Sequence, residues 1–235
     1  MQELMTLIEN RQSARGLFDP KSAIPAEDLA KILEAARWAP TAHNMQNFEI
    51  VVVDDKRLLT AISQIQASPD LTFIKENYRQ LSFTEDELRR RKTGVLGTMF
   101  PRSWQTPEPN IEDIQHEEWS AHMALQIVSS SAILFVLYDP SRRAPASEGD
   151  FLGIISLGCV MENMWLAANS LGIGVHIVSS FSGKKVAAEI TKMLHVPDRF
   201  VIAFSMRVGY PVSPVHYLRV RRDSDDFAHH NGFKP

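Results

Sequence analysis

The sequence predicts an α+β protein. Amphipathic helical patterns dominate the first forty residues, and β-branched or continuous apolar runs follow at 48–53 and 132–138. The order of these segments lacks the strict alternation of strand and helix that a doubly wound fold requires, which favours a mixed α+β architecture. A chain of 235 residues with 44% hydrophobic composition can bury a substantial core. We therefore expect a single domain spanning residues 1–235.

Helices are predicted where apolar residues recur every three or four positions. The clearest case is 26–37, where apolar residues from Leu29 to Ala36 share one face, with Pro25 before the segment and Pro40 beyond it. Further helices are predicted at 2–10, 56–66, 84–92, 111–130, 152–171 and 184–194. The helix at 152–171 is apolar on nearly every side, so it should lie in the domain centre or at a subunit interface.

Strands are predicted at 48–53, 132–138, 174–178 and 199–208. The run at 132–138 is apolar throughout, as in a strand buried on both faces. Between them, residues 68–110 show weaker patterns and several prolines, and we expect a lid or insertion there. A surface excursion packed by its own aromatic residues is an equally good interpretation. Residues from about 210 to 235 form a C-terminal arm.

Composition narrows the range of partners. The net charge of −3 and a pI near 6.2 give no reason to expect nucleic acid, so small molecules are the expected partners. The single cysteine, Cys159, excludes an internal disulfide and suits a reducing compartment, by default the cytoplasm. The longest apolar region, 154–171, contains polar residues, and we interpret it as too short and too polar for a membrane span.

The stretch from Arg11 to Arg15 reads Arg-Gln-Ser-Ala-Arg and contains the first candidate binding residues. A guanidinium group binds phosphate or carboxylate bidentately and also stacks on flat rings. On a helix Ser13 would face away from the two arginines, so a chain that leaves a helix here would let all three converge. A pair of solvated arginines at a frayed helix end is the alternative.

Two further segments could join this site. The turn between the helix at 26–37 and the strand at 48–53 is rich in amides, and the tail contains Arg219 and Arg221, which share a face if extended. The sequence shows no dinucleotide-binding glycine motif, P-loop, metal-binding cluster or nucleophile elbow. With no catalytic side chains evident, the chemistry should belong to a bound cofactor.

These blocks resemble the nitroreductase family of FMN-dependent oxidoreductases. The resemblance rests on Arg11-x-Ser13-x-Arg15, on the turn from Ala39 to Gln46, on the helix end from Leu166 to Gly174, and on Arg219-x-Arg221. It covers nearly the whole chain and implies a mixed central sheet flanked by helices in an intertwined homodimer. FMN would lie at the interface, and the apolar helix at 152–171 would contribute to it.

The resemblance also implies site residues. Contacts with the phosphate, ribityl chain and pyrimidine edge of FMN would come from Arg11, Gln12, Ser13 and Arg15. A phosphate clamp would be formed by Arg219 and Arg221. The partner subunit would line the ring with Pro40, Thr41, Ala42 and Asn44. Backbone groups near the central ring nitrogen would come from Val178, Ser179 and Ser180. Gln46 and Gln126 complete the set.

The expected reaction is ping-pong hydride transfer through flavin N5, from NAD(P)H to a nitroaromatic, quinone or similar small conjugated electron acceptor. We expect residues from Phe100 to Trp104, together with His43, to shape the acceptor pocket, although His43 is more typical of a turn residue. Asn47 stands where family members often have proline. Alternatives are a flavin-degrading or reductively dehalogenating enzyme, or a protein that binds FMN without turnover.

Overall fold

The computed structural model describes residues 2–65, 81–100, 116–214 and 217–233. Within these ranges the helices are α1 (Gln2–Asn10), α2 (Ala26–Arg37), α3 (Lys56–Ser63), α4 (Glu85–Arg91), α5 (His116–Val128), α6 (Phe151–Ser170) and α7 (Lys184–Met193). The strands are β1 (Glu49–Val53), β2 (Ser82–Phe83), β3 (Val95–Leu96), β4 (Ala132–Tyr138), β5 (Gly174–Ile177) and β6 (Val201–Gly209). The α+β class is confirmed.

The main sheet has four strands in the order β1-β4-β6-β5, and every neighbouring pair is antiparallel. We expected mixed strand directions; among the described residues of this sheet, the parallel pairing is a single bridge between Ser13 and Val175. The sheet is nevertheless covered on both faces. Along β4, Leu134 packs in one buried cluster and Phe135 in the other. Two-sided burial explains why β4 is a continuous apolar run.

The described residues divide into two compact units. The first contains residues 2–65 and 120–214 and holds the four-stranded sheet. The second contains residues 81–100, 116–119 and 217–233, and so collects described parts of the expected lid and C-terminal arm. There α4 begins at a capping box, in which the Thr84 hydroxyl accepts from the Glu87 N–H and the Glu87 carboxylate accepts from the Thr84 N–H. Lys92 forms ion pairs with Asp223 and Asp226. The prediction of one domain stays a prediction.

Several boundaries differ from those expected. The described part of the expected lid, residues 81–100, also contains the short parallel strand pair β2 and β3. The sequence pattern did not indicate this pair because each strand has only two residues. The helix expected at 111–130 is described as His116–Val128, and residues 111–115 lie outside the described ranges. At the end of α6, Gly172 has a φ of +73°, the left-handed conformation typical of a C′ glycine.

The long helix α6 corrects one expectation. The segment Glu148–Ser170 is long and apolar enough to cross a membrane, by length and composition only, so the interpretation as too short and too polar is wrong on that criterion. Apolar core helices pass the same test, and α6 buries Val160, Met164 and Ala168 against the sheet. Its other face leaves Phe151 exposed at 65%.

A pair of glycines makes room for the segment that follows α1. Gly174 and Gly209 lie opposite each other on β5 and β6, and the ring of Phe18 packs against both. A Cβ atom on Gly209 would lie 2.7 Å from the Cβ atom of Phe18, closer than carbon atoms can approach. Phe18 is only 1% exposed and has little space into which it could move.

We therefore expect Gly209→Ala to lower the free energy of unfolding by about 1–3 kcal/mol, the usual cost of overpacking a core. Urea denaturation of the purified variant measures this change. The matched control is Gly183→Ala, because an added Cβ there meets only the Ser180 carbonyl oxygen at 3.7 Å. Equal losses in both variants would contradict the close packing of Phe18 under β6.

Candidate functional site

The segment after α1 is attached to the edge of the main sheet. Helix α1 ends at Asn10, so the arginine stretch lies outside a helix, as the serine between its arginines requires. Ser13 bridges to Val175 in parallel fashion, and the Ala14 N–H donates to the Val175 carbonyl at 2.7 Å. The backbone of the stretch thus pairs with β5 at one residue, at the edge of the sheet.

Side chains from two other elements donate hydrogen bonds to the next two backbone carbonyls, those of Arg15 and Gly16. The Gln126 amide on α5 donates to the Arg15 carbonyl at 2.7 Å, and the Arg207 guanidinium on β6 donates from Nη2 to the Gly16 carbonyl at 2.9 Å. Arg207 is fully buried, and its guanidinium carbon lies 4.3 Å from the centre of the Phe18 ring. The backbone that presents Arg15 is therefore held from three sides.

Arg11 packs against α6. Its Nε lies 3.1 Å from a carboxylate oxygen of Glu162, and its guanidinium carbon lies 4.7 Å from the centre of the Trp165 ring. The Arg11 side chain is 24% exposed, so it still reaches solvent. An arginine oriented by a carboxylate and an aromatic face, with part of its surface open, can bind an anion with little loss of side-chain entropy.

The amide-rich turn has a strained backbone. His43, Asn44 and Gln46 have φ values of 51°, 52° and 47°. This left-handed region costs energy for residues other than glycine, although asparagine tolerates it best. Such residues persist where surrounding contacts enforce them, and they concentrate at functional sites. The three strained residues also have exposed side chains.

Contacts from distant parts of the first unit enforce this turn. The Ala42 N–H donates to the Ser156 hydroxyl on α6 at 2.9 Å. The Asn47 side-chain amide donates to the carbonyls of Asp139 and Arg142 at 2.9 and 3.0 Å. A proline at this position would have no side-chain donor and could not make these contacts. Asn47 is thus a tether between the turn and the loop after β4.

His176 is an unusual group in the main sheet. It pairs with Arg207 across β5 and β6, and its Nδ1 is buried with no hydrogen-bond partner in the described part of the chain. Burial, reinforced by the nearby charges of Arg207 and Arg15, lowers the pKa of His176 to about 3. The imidazole is therefore neutral at every physiological pH.

Other buried side-chain polar atoms also lack a hydrogen-bond partner among the described residues. They include the amide oxygen of Gln126 and the hydroxyl of Ser180, both from predicted site residues, as well as Oδ1 of Asn47 and Nε1 of Trp165. Buried polar atoms in folded proteins are nearly always hydrogen-bonded, so each such atom requires an explanation, and a bound ligand is one. The described residues contain no group of three His, Cys, Asp or Glu side chains placed to hold a metal ion. Ordered water or a non-metal ligand would supply the missing partner.

A family model for the nitroreductase family matches residues 8–210 of this chain. The chain belongs to the nitroreductase family. A relative from Archaeoglobus fulgidus, whose name combines NADH dehydrogenase and NAD(P)H nitroreductase, is 24% identical over 90% of this chain and 87% of its own length. A Staphylococcus haemolyticus NADPH-dependent oxidoreductase is 22% identical over 87% of this chain, which spans 63% of that relative.

Solved structures agree on the nitroreductase fold. A nitroreductase with bound FMN from Desulfitobacterium hafniense has a TM-score of 0.62 and 19% identity, with 98% of this chain and all of that chain covered. A nitroreductase with bound FMN from Bacteroides fragilis has a TM-score of 0.59 and 18% identity, with 98% and 100% covered. At these identities the likeness shows the fold alone.

In this member of the nitroreductase family the predicted site residues fall in four places, one of which is the segment 178–180 after β5. The stretch 11–15 and Gln126 come together through the Arg15 carbonyl. The turn from Pro40 to Gln46 is instead attached to α6 by the hydrogen bond from the Ala42 N–H to the Ser156 hydroxyl. Arg219 and Arg221 are exposed and belong to the second unit, so their approach to the other arginines stays a prediction.

The segment after β5 refines one expectation. The Val178 N–H donates to the Ser205 carbonyl at 2.9 Å, and the Val178 carbonyl accepts from the Ser205 hydroxyl at 3.0 Å. Both backbone groups of Val178 are thus used within the sheet. Of the three residues whose backbone we expected near the ring, Ser179 and Ser180 are the candidates that this leaves, and Ser179 is exposed.

Sequence reasoning missed the residues that support the site. Arg207, Glu162, His176 and Ser156 lie inside apolar helices and strands, where the pattern predicted only core packing. Buried charged residues are rare in cores unless they are paired, so an arginine inside a strand pattern was the available signal. The predicted acceptor-pocket segment lies outside the described residues except for Phe100, and so does most of the expected lid.

The depressed pKa of His176 predicts acid sensitivity. The unfolded chain takes up a proton near pH 6.5, whereas folded His176 takes it up only near pH 3. Between these values the unfolded state binds more protons, so the free energy of unfolding should fall as the pH is lowered from 7 to 5. The loss attributable to His176 is at most about 1.4 kcal/mol per pH unit.

Urea denaturation at pH 7, 6 and 5 measures this slope. His176→Phe keeps a ring in place but cannot titrate, so its stability should depend less steeply on pH than that of the wild type. His230→Phe is the control, because His230 is exposed in the tail and its removal should leave the slope unchanged. Parallel slopes for the wild type and His176→Phe would show that the imidazole is not protonated on unfolding.

Proposed function

We propose that this nitroreductase-family protein is an FMN-dependent NAD(P)H oxidoreductase that acts on a small conjugated electron acceptor such as a nitroaromatic or a quinone. The observation that carries the proposal is the immobilised stretch 11–15, in which two arginines and a serine leave a helix on a rigid backbone. Two similar structures contain bound FMN, and two similar sequences have names that specify NAD(P)H or NADPH.

The residues present fit FMN on chemical grounds. FMN has a phosphate, a hydroxylated ribityl chain and a flat ring with both donors and acceptors. Guanidinium groups suit the phosphate and the electron-rich edge of the ring. The buried oxygens of Gln126 and Ser180 have no partner in the described chain and suit the ribityl hydroxyls and the ring N–H. A bound flavin would satisfy groups that otherwise carry a desolvation cost.

The chain would hold FMN with four groups of residues. Arg11, Gln12, Ser13 and Arg15 would bind from the segment after α1, Gln126 from α5, and Ser179 and Ser180 from the turn after β5. Arg219 and Arg221 would bind the phosphate from the C-terminal arm. When bound, FMN supplies the hydride and electron transfer that the side chains cannot. The cation of Arg15 would stabilise negative charge on the pyrimidine edge.

We further propose that the functional form is a homodimer with FMN at the interface. In α1, Leu4 is 54% exposed and Met5 is 47% exposed, although the helix is amphipathic. At the start of α6, Phe151 is 65% exposed and Ile154 is 59% exposed. Helices α1 and α6 pack together. Large exposed apolar side chains on adjacent helices are typical of subunit interfaces.

The dimer also explains the strained turn. Pro40, Thr41, Ala42, Asn44 and Gln46 would line the flavin bound mainly by the partner subunit. The tether through Asn47 and the hydrogen bond from Ala42 to Ser156 would preorganise the turn before the partner meets it. A preorganised turn loses less entropy on binding, so a site divided between two subunits can still bind FMN tightly.

The deciding experiment is a visible absorption spectrum of the purified protein, followed by anaerobic titration with NADH and with NADPH. We expect a yellow protein whose flavin absorbance bleaches with at least one donor, and steady-state oxidation of that donor when a quinone or nitroaromatic is added. A colourless protein that does not take up added FMN contradicts the proposal. A yellow protein that no donor bleaches indicates flavin binding without catalysis.

Arg15→Ala should reduce flavin retention far more than His43→Ala. Arg15 would contact FMN directly, whereas His43 is an exposed turn residue outside the set assigned to FMN. Loss of one charged hydrogen bond costs about 1.5–3 kcal/mol, or roughly tenfold to a hundredfold in the dissociation constant. Fluorescence titration of apoprotein with FMN measures it. Equal flavin affinities in the two variants would contradict the assignment of Arg15.

Ile154→Glu should convert the dimer to a monomer and lower flavin content. The residue is exposed in one subunit, so the substitution spares the fold of the chain, but it would bury a carboxylate in the interface. Sedimentation velocity gives the oligomeric state. Leu58→Glu on α3, at 37% exposure, is the control on another helix. A dimer that survives Ile154→Glu with its flavin places the interface elsewhere.

A further inference from the structure

A side-chain amide beside the arginine stretch has its orientation determined by two contacts. The Gln126 side chain is buried, and its Nε2 lies 2.7 Å from the Arg15 carbonyl oxygen and 2.8 Å from Nε2 of His122. His122 lies four residues earlier on the same helix, so the two side chains share a face of α5. His122 itself is exposed, whereas Gln126 is only 5% exposed.

The contact with the Arg15 carbonyl determines which terminal atom of the Gln126 amide is the nitrogen and which is the oxygen. A backbone carbonyl can only accept, so the atom beside the Arg15 carbonyl must be the amide nitrogen. If the amide were flipped, two acceptor oxygens would lie 2.7 Å apart and repel each other. Amide orientations are assigned from such networks, and here the network permits one choice.

The second contact determines the state of His122. The amide nitrogen of Gln126 has two hydrogens and cannot accept, so Nε2 of His122 must carry a lone pair that accepts the second hydrogen. The proton of the neutral imidazole is then on Nδ1. A positively charged imidazolium, which donates from both nitrogens, could not make this contact. Both donors of the Gln126 amide are therefore in use.

We infer that His122 is a positioning residue that locks the Gln126 amide so that its Oε1 faces the bound flavin only as a hydrogen-bond acceptor. This inference rests on the proposed function. Gln126 Oε1 is buried and has no partner in the part of the chain that the structure describes. The matching group on the flavin is a donor, either the ring N–H or a ribityl hydroxyl. Gln126 does not donate to a ring oxygen.

The arrangement also links His122 to Arg15. Gln126 is the shared neighbour, because one nitrogen bonds both to the imidazole and to the backbone that presents the Arg15 guanidinium. If His122 ceases to accept, one hydrogen of the amide loses its partner and only the Arg15 carbonyl still opposes rotation. Rotation would release that carbonyl and turn a donor toward the flavin donor. Two donors facing each other weaken binding more than the loss of one bond does.

Nitrogen-15 NMR of the imidazoles tests the first half of the inference without flavin. The apoprotein should show His122 in the tautomer with the proton on Nδ1 and an unprotonated Nε2. The His122 resonances are assigned as those that disappear from the spectrum of His122→Ala. The Gln126→Leu variant removes the donor, so the His122 tautomer should shift toward the form protonated on Nε2. A wild-type His122 that is already protonated on Nε2 overturns the inference.

Flavin affinity tests the second half through three substitutions at one exposed position. His122→Gln places a side-chain oxygen that can still accept, so FMN affinity should stay within about twofold of wild type. His122→Ala loses the acceptor, and His122→Lys offers only donors. We expect FMN to bind roughly tenfold more weakly to these two variants, the usual cost of an unsatisfied buried polar group.

The control is His230→Ala, a histidine exposed in the tail, which should bind FMN as the wild type does. If His122→Gln keeps the FMN affinity of the wild type, the weaker binding of the other two variants comes from the orientation of Gln126 and not from loss of the imidazole in general. If His122→Ala and His122→Lys bind FMN as tightly as wild type, the role of His122 is refuted while the proposed function stands. If wild type and every variant fail to bind FMN, the proposed function fails and this inference with it.

Discussion

The structure depends on the contact between Arg207 and Phe18. Phe18 fits under the glycine pair of β5 and β6, and the buried guanidinium of Arg207 lies over its ring while it holds the Gly16 carbonyl. A fully buried arginine is stable only when its donors are satisfied, so the segment after α1 and strand β6 require each other. Arg15 is thus presented on a backbone that cannot relax away from the sheet.

Helix α6 serves both halves of the proposed site. Toward its C-terminal half, Glu162 and Trp165 orient Arg11, and nearer its start Ser156 holds the backbone of the strained turn. The same helix buries one face in the core and exposes apolar residues on the other. One rigid element therefore links the core, the anion-binding arginine and the surface on which a second subunit would dock.

The proposed roles of the protein and of its cofactor follow from the residues that the chain contains. His176, with a pKa of about 3, is unsuited to proton transfer near neutral pH. What the chain supplies is orientation: arginines for an anion and buried acceptors such as Gln126 for ring and sugar donors. In the proposed function, such a site would hold a cofactor whose own chemistry accomplishes the reaction.

The sequence by itself determined the helices, the buried strand β4, the capping box at Thr84 and the end of the first helix before Arg11. These features depend on neighbours within a few residues, so periodicity and capping chemistry reveal them. Only the tertiary structure decided which groups surround Arg15. Gln126 and Arg207 lie more than a hundred residues from it in sequence. The family resemblance named Gln126 but not its contact with the Arg15 backbone, and Arg207 resembles an ordinary core position. Their roles arise from strand pairing and helix packing, which bring distant residues together and which no local pattern encodes.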